Sequence, residues 1–182
     1  MGELAFRAVD RDTWPDFVAL FESPGGPKYC WCMAWRPMDA KARGSAPAKK
    51  AAMKALVDSG VPVGLLAYEA GEPVGWCSIA PRDSHRPLGG PAADGEKIWS
   101  LTCFFLRRDR RGAGHSAALL DAALAYARTQ GAATVEAYPV DPDSPSYRFM
   151  GFVDLFRRAG FKKVGKAGSR RHVMRLGLKG RT

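Results

Sequence analysis

The chain has 182 residues and a formal net charge of +10, with 46% apolar and 25% charged side chains. This length suits one domain with a real core and is short for two, so we expect a single domain over residues 1–182. No apolar run reaches the roughly 18 residues of a membrane span, and the N terminus does not resemble a signal peptide. We therefore expect a soluble, cytoplasmic protein with no membrane partner.

The positive charge belongs to one part of the chain. Residues 1–100 hold 12 basic and 12 acidic residues, whereas residues 101–182 hold 16 and 6. A basic half fits nucleic acid, an anionic membrane or an anionic small ligand. The charge is not interleaved with a base-stacking aromatic platform, and no nucleic-acid motif is present, so nucleic acid is the weaker alternative.

The first elements are a strand and two helices. Alternation predicts a strand over Leu4 to Val9, followed by a helix capped by Asp12 or Thr13. A second helix is expected over Pro47 to Asp58, with Ser45 as its cap.

An aromatic, sulfur-rich octet, Tyr29 to Arg36, lies between the two helices. It is either a core-packing segment or a wall of a substrate pocket built from Tyr29, Trp31 and Trp35. Cys30 and Cys32 do not indicate a metal, because no second Cys/His cluster completes a four-ligand set. We expect all four cysteines to be reduced thiols.

A hairpin and a long loop follow. Strands are predicted over Val63 to Tyr68 and Val74 to Ile79, then a loop over residues 81–96 and a strand over Ile98 to Leu106. His85 lies in the loop, where an exposed histidine is the more common interpretation than a catalytic one.

The stretch from Arg107 to Leu120, RRDRRGAGHSAALL, joins that strand to an alanine-rich helix. A helix N terminus presents about four unpaired backbone N–H groups and partial positive charge, which stabilise an anion. The glycines permit close approach, and four arginines in five positions add charge. The alternative is an ordinary tight turn within a solvated basic loop.

The remaining chain continues the alternation of strand and helix. A strand is predicted over Ala133 to Tyr138, a helix over Phe149 to Arg158, and two last strands over Phe161 to Val164 and His172 to Leu176.

Two motifs within this order carry a family resemblance. Arg111-Gly112-Ala113-Gly114-His115-Ser116 resembles the Arg/Gln-x-x-Gly-x-Gly/Ala motif of the GNAT superfamily of acetyl-CoA-dependent N-acetyltransferases, with Ser116 in place of Gly or Ala. The segment from Phe156 to Phe161 resembles the family's Tyr-x-x-x-Gly-Phe element, but Phe156 replaces the tyrosine that protonates the departing thiolate, and Phe149 replaces an asparagine. Cys30 to Met33 and Tyr138 to Pro142 resemble a bacterial subgroup.

The resemblance implies an α/β fold of the α+β type. Its centre would be a mixed, mainly antiparallel sheet of six to seven strands, flanked by about four helices. Acetyl-CoA would be the acetyl donor, and no metal is required. Its pyrophosphate would bind Arg111, Gly112, Ala113, Gly114, His115 and Ser116, and its pantetheine arm would pair with the backbone of Phe104 and Leu106.

An amine that attacks the thioester directly also needs proton transfer. Glu136 is a carboxylate in an otherwise apolar strand, so it is either a general base or paired with a cation. Tyr147 and Tyr138 are candidate acids in place of the missing tyrosine, although water can protonate a thiolate whose pKa is about 8.5.

The sequence therefore predicts an N-acetyltransferase acting on a small-molecule or peptide amine. The alternatives are a non-catalytic acyl-CoA-binding module and a basic nucleic-acid-binding protein. A homodimer is compatible with the sequence.

Overall fold

The computed structural model describes residues 2–93, 95 and 97–178. Asp94 and Glu96, which fall in the loop predicted over residues 81–96, lie outside the described residues. The described chain forms one seven-stranded sheet and four α-helices, joined by short 3-10 turns. The strands are β1 (Leu4–Ala8), β2 (Gly64–Glu69), β3 (Glu72–Pro81), β4 (Ile98–Leu106), β5 (Thr134–Ala137), β6 (Lys162–Ala167) and β7 (Arg171–Gly177). The helices are α1 (Trp14–Glu22), α2 (Ala46–Asp58), α3 (His115–Thr129) and α4 (Val153–Arg158).

The strand order is β1-β2-β3-β4-β5-β7-β6, and every neighbouring pair is antiparallel except β4 and β5. The predicted mixed, mainly antiparallel sheet is therefore confirmed. No helix in the described part of the chain is long and apolar enough to cross a membrane.

Each face of the sheet has its own apolar core. One face packs against α3, with Leu119 and Leu120 fully buried against Leu101 and Val135. The other face packs against α1 and α2 through a cluster rich in aromatic rings, which includes Phe17, Phe21, Trp31, Met53 and Trp76. The helical spacing of apolar residues and the alternation along the strands account for both cores.

The helix predicted from Phe149 to Arg158 is wrong in its first half. Residues Arg148–Met150 form a 3-10 turn, and the α-helix begins only at Val153. Gly151 lies between them with φ +90°, and a Cβ there would meet the Phe156 ring at 2.7 Å. The left-handed backbone at Gly151 is incompatible with a continuous helix.

The parallel strands β4 and β5 separate halfway along β4. They pair from Ile98 and Thr134 only as far as Leu101 and Ala137, whereas β4 continues to Leu106 beside β3. Ser78 pairs with Cys103 and Ile79 with Leu101, so Thr102 is an extra residue that forms a β-bulge. The second half of β4 therefore has one paired edge, on β3, and a second edge that no longer faces β5. Bulges of this kind redirect side chains and are common next to active sites.

Candidate active site

The turn after β4 leads directly into the N terminus of α3. Gly112 and Gly114 have φ of +84° and +76°, and a Cβ on either would meet no atom within 4 Å. Gly114 is the residue before the helix, and no side chain of the described residues caps the first turn. The helix N terminus therefore combines unpaired N–H donors with open space in front of them, which suits a phosphate group.

The arginines of the turn do not contribute equally. Arg107 and Arg110 both contact Asp109, and Arg110 also forms an ion pair with Glu69 at 2.5 Å. Arg108 extends toward Gly25, and Arg111 lines the neighbouring cavity. Neither Arg108 nor Arg111 has an acidic partner among the described residues. The sequence suggested four arginines as possible ligands of an anion. In the structure, two of them, Arg108 and Arg111, are not engaged by an acidic residue of the described chain.

The His115 side chain contacts the backbone of the turn itself. Its side chain is 8% exposed, and Nδ1 lies 2.9 Å from the backbone oxygen of Arg110. The ring therefore fixes the shape of the turn, while Ser116 is half-buried in the first turn of the helix. At position 115 the backbone N–H group is the donor that is left for a phosphate, because the imidazole contacts the turn.

A cavity of about 390 Å³ lies beside the separated half of β4 and extends to Arg111. Its walls come from β4, from the α1–α2 loop and from Phe149. The lining residues are Gly25, Pro27, Tyr29, Cys30, Cys32, Ala34, Trp35, Thr102, Cys103, Phe104, Phe105, Arg111 and Phe149. The lining contains no carboxylate, so the cavity suits a neutral or weakly polar group and an anion at its Arg111 end.

Two of the three predicted acceptor residues line this cavity. Tyr29 is 72% exposed at its rim, and Trp35 forms part of its wall. Trp31 does not line it, because its ring is 3% exposed and stacks on Phe21 with centroids 5.5 Å apart. Trp31 is therefore mainly a core residue, although with Tyr29 it lines a second, more open cavity of about 730 Å³.

Glu136 is paired with a cation. Its carboxylate is fully buried, accepts a hydrogen bond from Arg175 Nε at 2.5 Å, and lies 3.7 Å from Arg82 Nε. The Tyr138 hydroxyl donates a further hydrogen bond to it. Of the two interpretations left open by the sequence, the structure shows the ion pair, and the carboxylate is closed to an incoming amine.

The two candidate tyrosines differ in access. Tyr138 is fully buried, its hydroxyl lies 3.2 Å from Ser100 Oγ, and burial beside Glu136 raises its pKa well above the usual value. Tyr147 is 37% exposed, and its ring packs between Trp35 and Phe149, which both line the cavity. Of the two tyrosines, Tyr147 is therefore the one that is accessible and lies next to residues of the cavity wall.

Phe156 is a core residue at the position where the family usually has a tyrosine. Its ring is fully buried between Phe104 and Phe161, with centroids 5.9 and 5.2 Å away. The surrounding aromatic rings form an apolar environment that suits a phenylalanine. Because Phe156 has no hydroxyl, another group has to protonate the departing thiolate.

His85 is buried, contrary to the expected exposed histidine. Its side chain is 8% exposed, and Nδ1 lies 3.2 Å from the backbone oxygen of Pro81. Burial, with the nearby charge of Arg36, lowers its pKa to about 3. His85 is therefore neutral at physiological pH and acts as a packing residue.

A sulfur cluster on the cavity wall was not singled out by the sequence. Cys32 and Cys103 both line the cavity, and Arg36 is buried close enough to act on both thiols electrostatically. Cys103 reaches this face because the bulge at Thr102 shifts the alternation of β4. Trp31 and Cys32 have φ of +49° and +56°, a backbone conformation that is costly outside glycine and concentrates at functional sites.

A mixed sheet that separates at its parallel pair, with an open, uncapped helix N terminus after β4, is suited to a ligand with a long arm and an anionic end. Comparison with known proteins gives the family. The sequence model of the Acetyltransferase (GNAT) family matches residues 8–161. The chain belongs to the GNAT family of acetyltransferases, as the turn and the last-helix motif indicated.

Solved structures agree with this fold. yncA, a putative acetyltransferase from Salmonella typhimurium solved with acetyl-CoA, is 18% identical with a TM-score of 0.60, over 97% of this chain and 94% of that chain. An uncharacterized protein from Bacillus halodurans is 15% identical with a TM-score of 0.64, over 97% and 84%. A ribosomal-protein-alanine N-acetyltransferase from Brucella melitensis is 18% identical with a TM-score of 0.58, over 96% and 99%. A search of curated protein sequences found no match.

Proposed function

We propose that this chain transfers the acetyl group of acetyl-CoA to a primary amine of a small molecule or peptide. The observation that supports this most is the succession of three features along one segment: the separated edge of β4, the 390 Å³ cavity that runs from it to Arg111, and the uncapped N terminus of α3 that follows. A thioester with a long polar arm and a polyanionic end can contact all three at once.

The donor would lie along β4. The pyrophosphate binds the N–H groups around Gly112 to Ser116, with Arg108 and Arg111 as the available cations. The pantetheine arm adds to the sheet like a strand, against the backbone of Phe104 and Leu106 on the edge that no longer pairs with β5. This places the acetyl group near the bulge at Thr102, where a strand N–H polarises the carbonyl.

The amine would enter between Tyr29 and Trp35. Their rings offer an apolar face with electron-rich surfaces, which attract a cationic or aromatic amine. Because Glu136 is closed off by Arg175, the amine loses its proton to water at the open mouth of the cavity, and attacks the thioester directly. Tyr147 is the side chain that returns a proton to the departing CoA thiolate, in place of the tyrosine replaced by Phe156.

A product screen tests this function. The protein is incubated with acetyl-CoA and a panel of polyamines, aminoglycosides, amino acids and peptides, and both CoA and acetylated amine are quantified by liquid chromatography and mass spectrometry. A coloured thiol reagent is avoided because the protein has free thiols of its own. The function requires equimolar CoA and acetyl-amine with at least one panel member.

Two other results would replace the proposal. Tight acetyl-CoA binding with no amine acetylated would indicate a binding module. Absent CoA binding, together with salt-dependent binding of DNA or RNA, would indicate a nucleic-acid-binding protein.

A further inference from the structure

Two thiols from different parts of the chain meet at the cavity wall. Cys32 comes from the α1–α2 loop and Cys103 from β4, 71 positions later, and both are free. Both side chains also pack in the apolar cluster on this face of the sheet. The pair is reached from solvent through the same cavity that would receive the acetyl group.

A buried cation that has no acidic partner among the described residues lies beside this pair. Arg36 is 1% exposed, and its Nη2 donates to the backbone oxygen of Val63 at 2.9 Å and to Ser78 Oγ at 3.1 Å. Its Nε and Nη1 have no hydrogen-bond partner among the described residues. A buried guanidinium needs an anion nearby, and the Cys32 thiolate is the group whose charge it favours.

Cys32 is accordingly the acidic thiol of the four. Interaction with the Cys103 thiol, aided by the charge of Arg36 and by Trp76 and Ser78, lowers the pKa of Cys32 against the opposing effect of burial. The Trp76 indole N–H donates to the Cys32 sulfur at 3.3 Å. Burial raises the pKa of Cys30 and Cys77, and interaction with Cys32 raises that of Cys103.

We propose that Cys32 and Cys103 are an oxidisable pair that takes hydroperoxides and closes the cavity as a disulfide. The Cys32 thiolate attacks the peroxide O–O bond, which breaks to give a sulfenic acid and an alkoxide or hydroxide that is protonated by solvent. The Cys103 thiol then displaces hydroxide from the sulfenic sulfur, and water leaves as the S–S bond forms. Two electrons pass from the two thiols to the peroxide, and a dithiol restores the pair by exchange.

Position, more than intrinsic reactivity, selects this pair. The lowered pKa of Cys32 raises its thiolate fraction at pH 7, but a less basic thiolate is also a weaker nucleophile, so the two effects oppose each other. Access through the cavity, with Cys103 on the same wall, distinguishes Cys32 from Cys77, which is fully buried.

The functional effect follows from the location of the bond and rests on the proposed function. A disulfide would tie the α1–α2 loop to β4 at the bulge, where the acetyl group is expected. Oxidation should therefore weaken acetyl-CoA binding, and reduction should restore it.

The experiment treats the full chain with hydrogen peroxide at pH 7 and follows intact mass, with peptide mapping of the product. The expected product is 2 Da lighter, carries one Cys32–Cys103 bond and returns to the starting mass with dithiothreitol. Cys32→Ser should abolish this product. Cys103→Ser should instead yield a sulfenic acid on Cys32 that dimedone traps, and Cys30→Ser, the matched control from the same loop, should oxidise as the wild type does.

Every other outcome refutes a specific part of the proposal. No loss of 2 Da, a bond that includes Cys77 or Cys30, or unchanged oxidation in Cys32→Ser refutes the pair. Calorimetry with acetyl-CoA separates the rest: equal affinity before and after oxidation refutes cavity closure. Absent binding in the reduced protein refutes the proposed donor while leaving the oxidation chemistry standing.

Discussion

Replacing Gly114 with glutamate places a carboxylate at the N terminus of α3, in front of the N–H groups proposed to bind pyrophosphate. The position has φ +76°, so any side chain incurs a backbone cost of about 1–2 kcal/mol, but a Cβ there meets no atom within 4 Å. For a chain of this length that cost corresponds to a loss of about 2–8 °C in Tm. The fold should therefore survive, and the effect on the ligand can be isolated.

The magnitude follows from charge repulsion. One negative charge about 4–6 Å from a phosphate, at the effective dielectric of a protein surface, opposes binding by about 3–4 kcal/mol before salt screening and by about 2–3 kcal/mol after it. This corresponds to a roughly 30- to 150-fold rise in the Kd of CoA measured by calorimetry. The loss should shrink as salt is raised.

Gly60→Glu is the matched control, because Gly60 has φ +80° and equally open surroundings but follows α2, away from the turn. It should lose similar stability and keep CoA affinity. Affinity in Gly114→Glu within twofold of that in Gly60→Glu would refute the assignment of the turn.

Three further substitutions test the site and its surroundings. Glu136→Gln should lower the free energy of unfolding by about 3 kcal/mol in urea denaturation, because it leaves the largely buried Arg175 without its ion pair; a loss below about 1 kcal/mol would contradict a structural pair. Tyr147→Phe should reduce turnover about tenfold with CoA affinity unchanged, whereas equal losses in Tyr147→Phe and Tyr138→Phe would remove its special role. The pKa of His85 is lowered to about 3, so between about pH 6.5 and 3 the imidazole takes up a proton only when the protein unfolds. The free energy of unfolding therefore decreases as the pH is lowered through that window. His85→Gln should therefore flatten the dependence of stability on pH by about 1 kcal/mol per unit between pH 6 and 5, and an unchanged slope would indicate an accessible imidazole.

Local patterns predicted most of the fold. Strand β4 was predicted with its observed bounds, Ile98 to Leu106, because apolar residues and turn signals mark both of its ends. Ser45 caps α2 as expected, since its Oγ accepts from the Ala48 N–H. The glycine turn before α3 could be predicted because its backbone conformation requires glycine, as the positive φ of Gly112 and Gly114 shows.

Features that depend on contacts between residues far apart in the chain could not be predicted from the sequence. Glu136 is neutralised by Arg175, 39 positions later and on a neighbouring strand. Cys103 faces the cavity because of a one-residue bulge, which leaves no mark in the alternation. Among the arginines of the turn, the ion pair of Arg110 with Glu69 of β2 is set by the hairpin that brings β2 beside it. In each case the sequence supplied the residue, and tertiary packing decided its environment.

Amide hydrogen exchange with and without acetyl-CoA tests the central claim most directly. The separated edge of β4 and the N terminus of α3 are proposed to be the two backbone surfaces that hold the donor. Acetyl-CoA should slow exchange in peptides covering residues 102–106 and 111–116, and should leave the β1–β2 edge of the sheet unchanged. Slowed exchange elsewhere with neither segment affected would contradict the account.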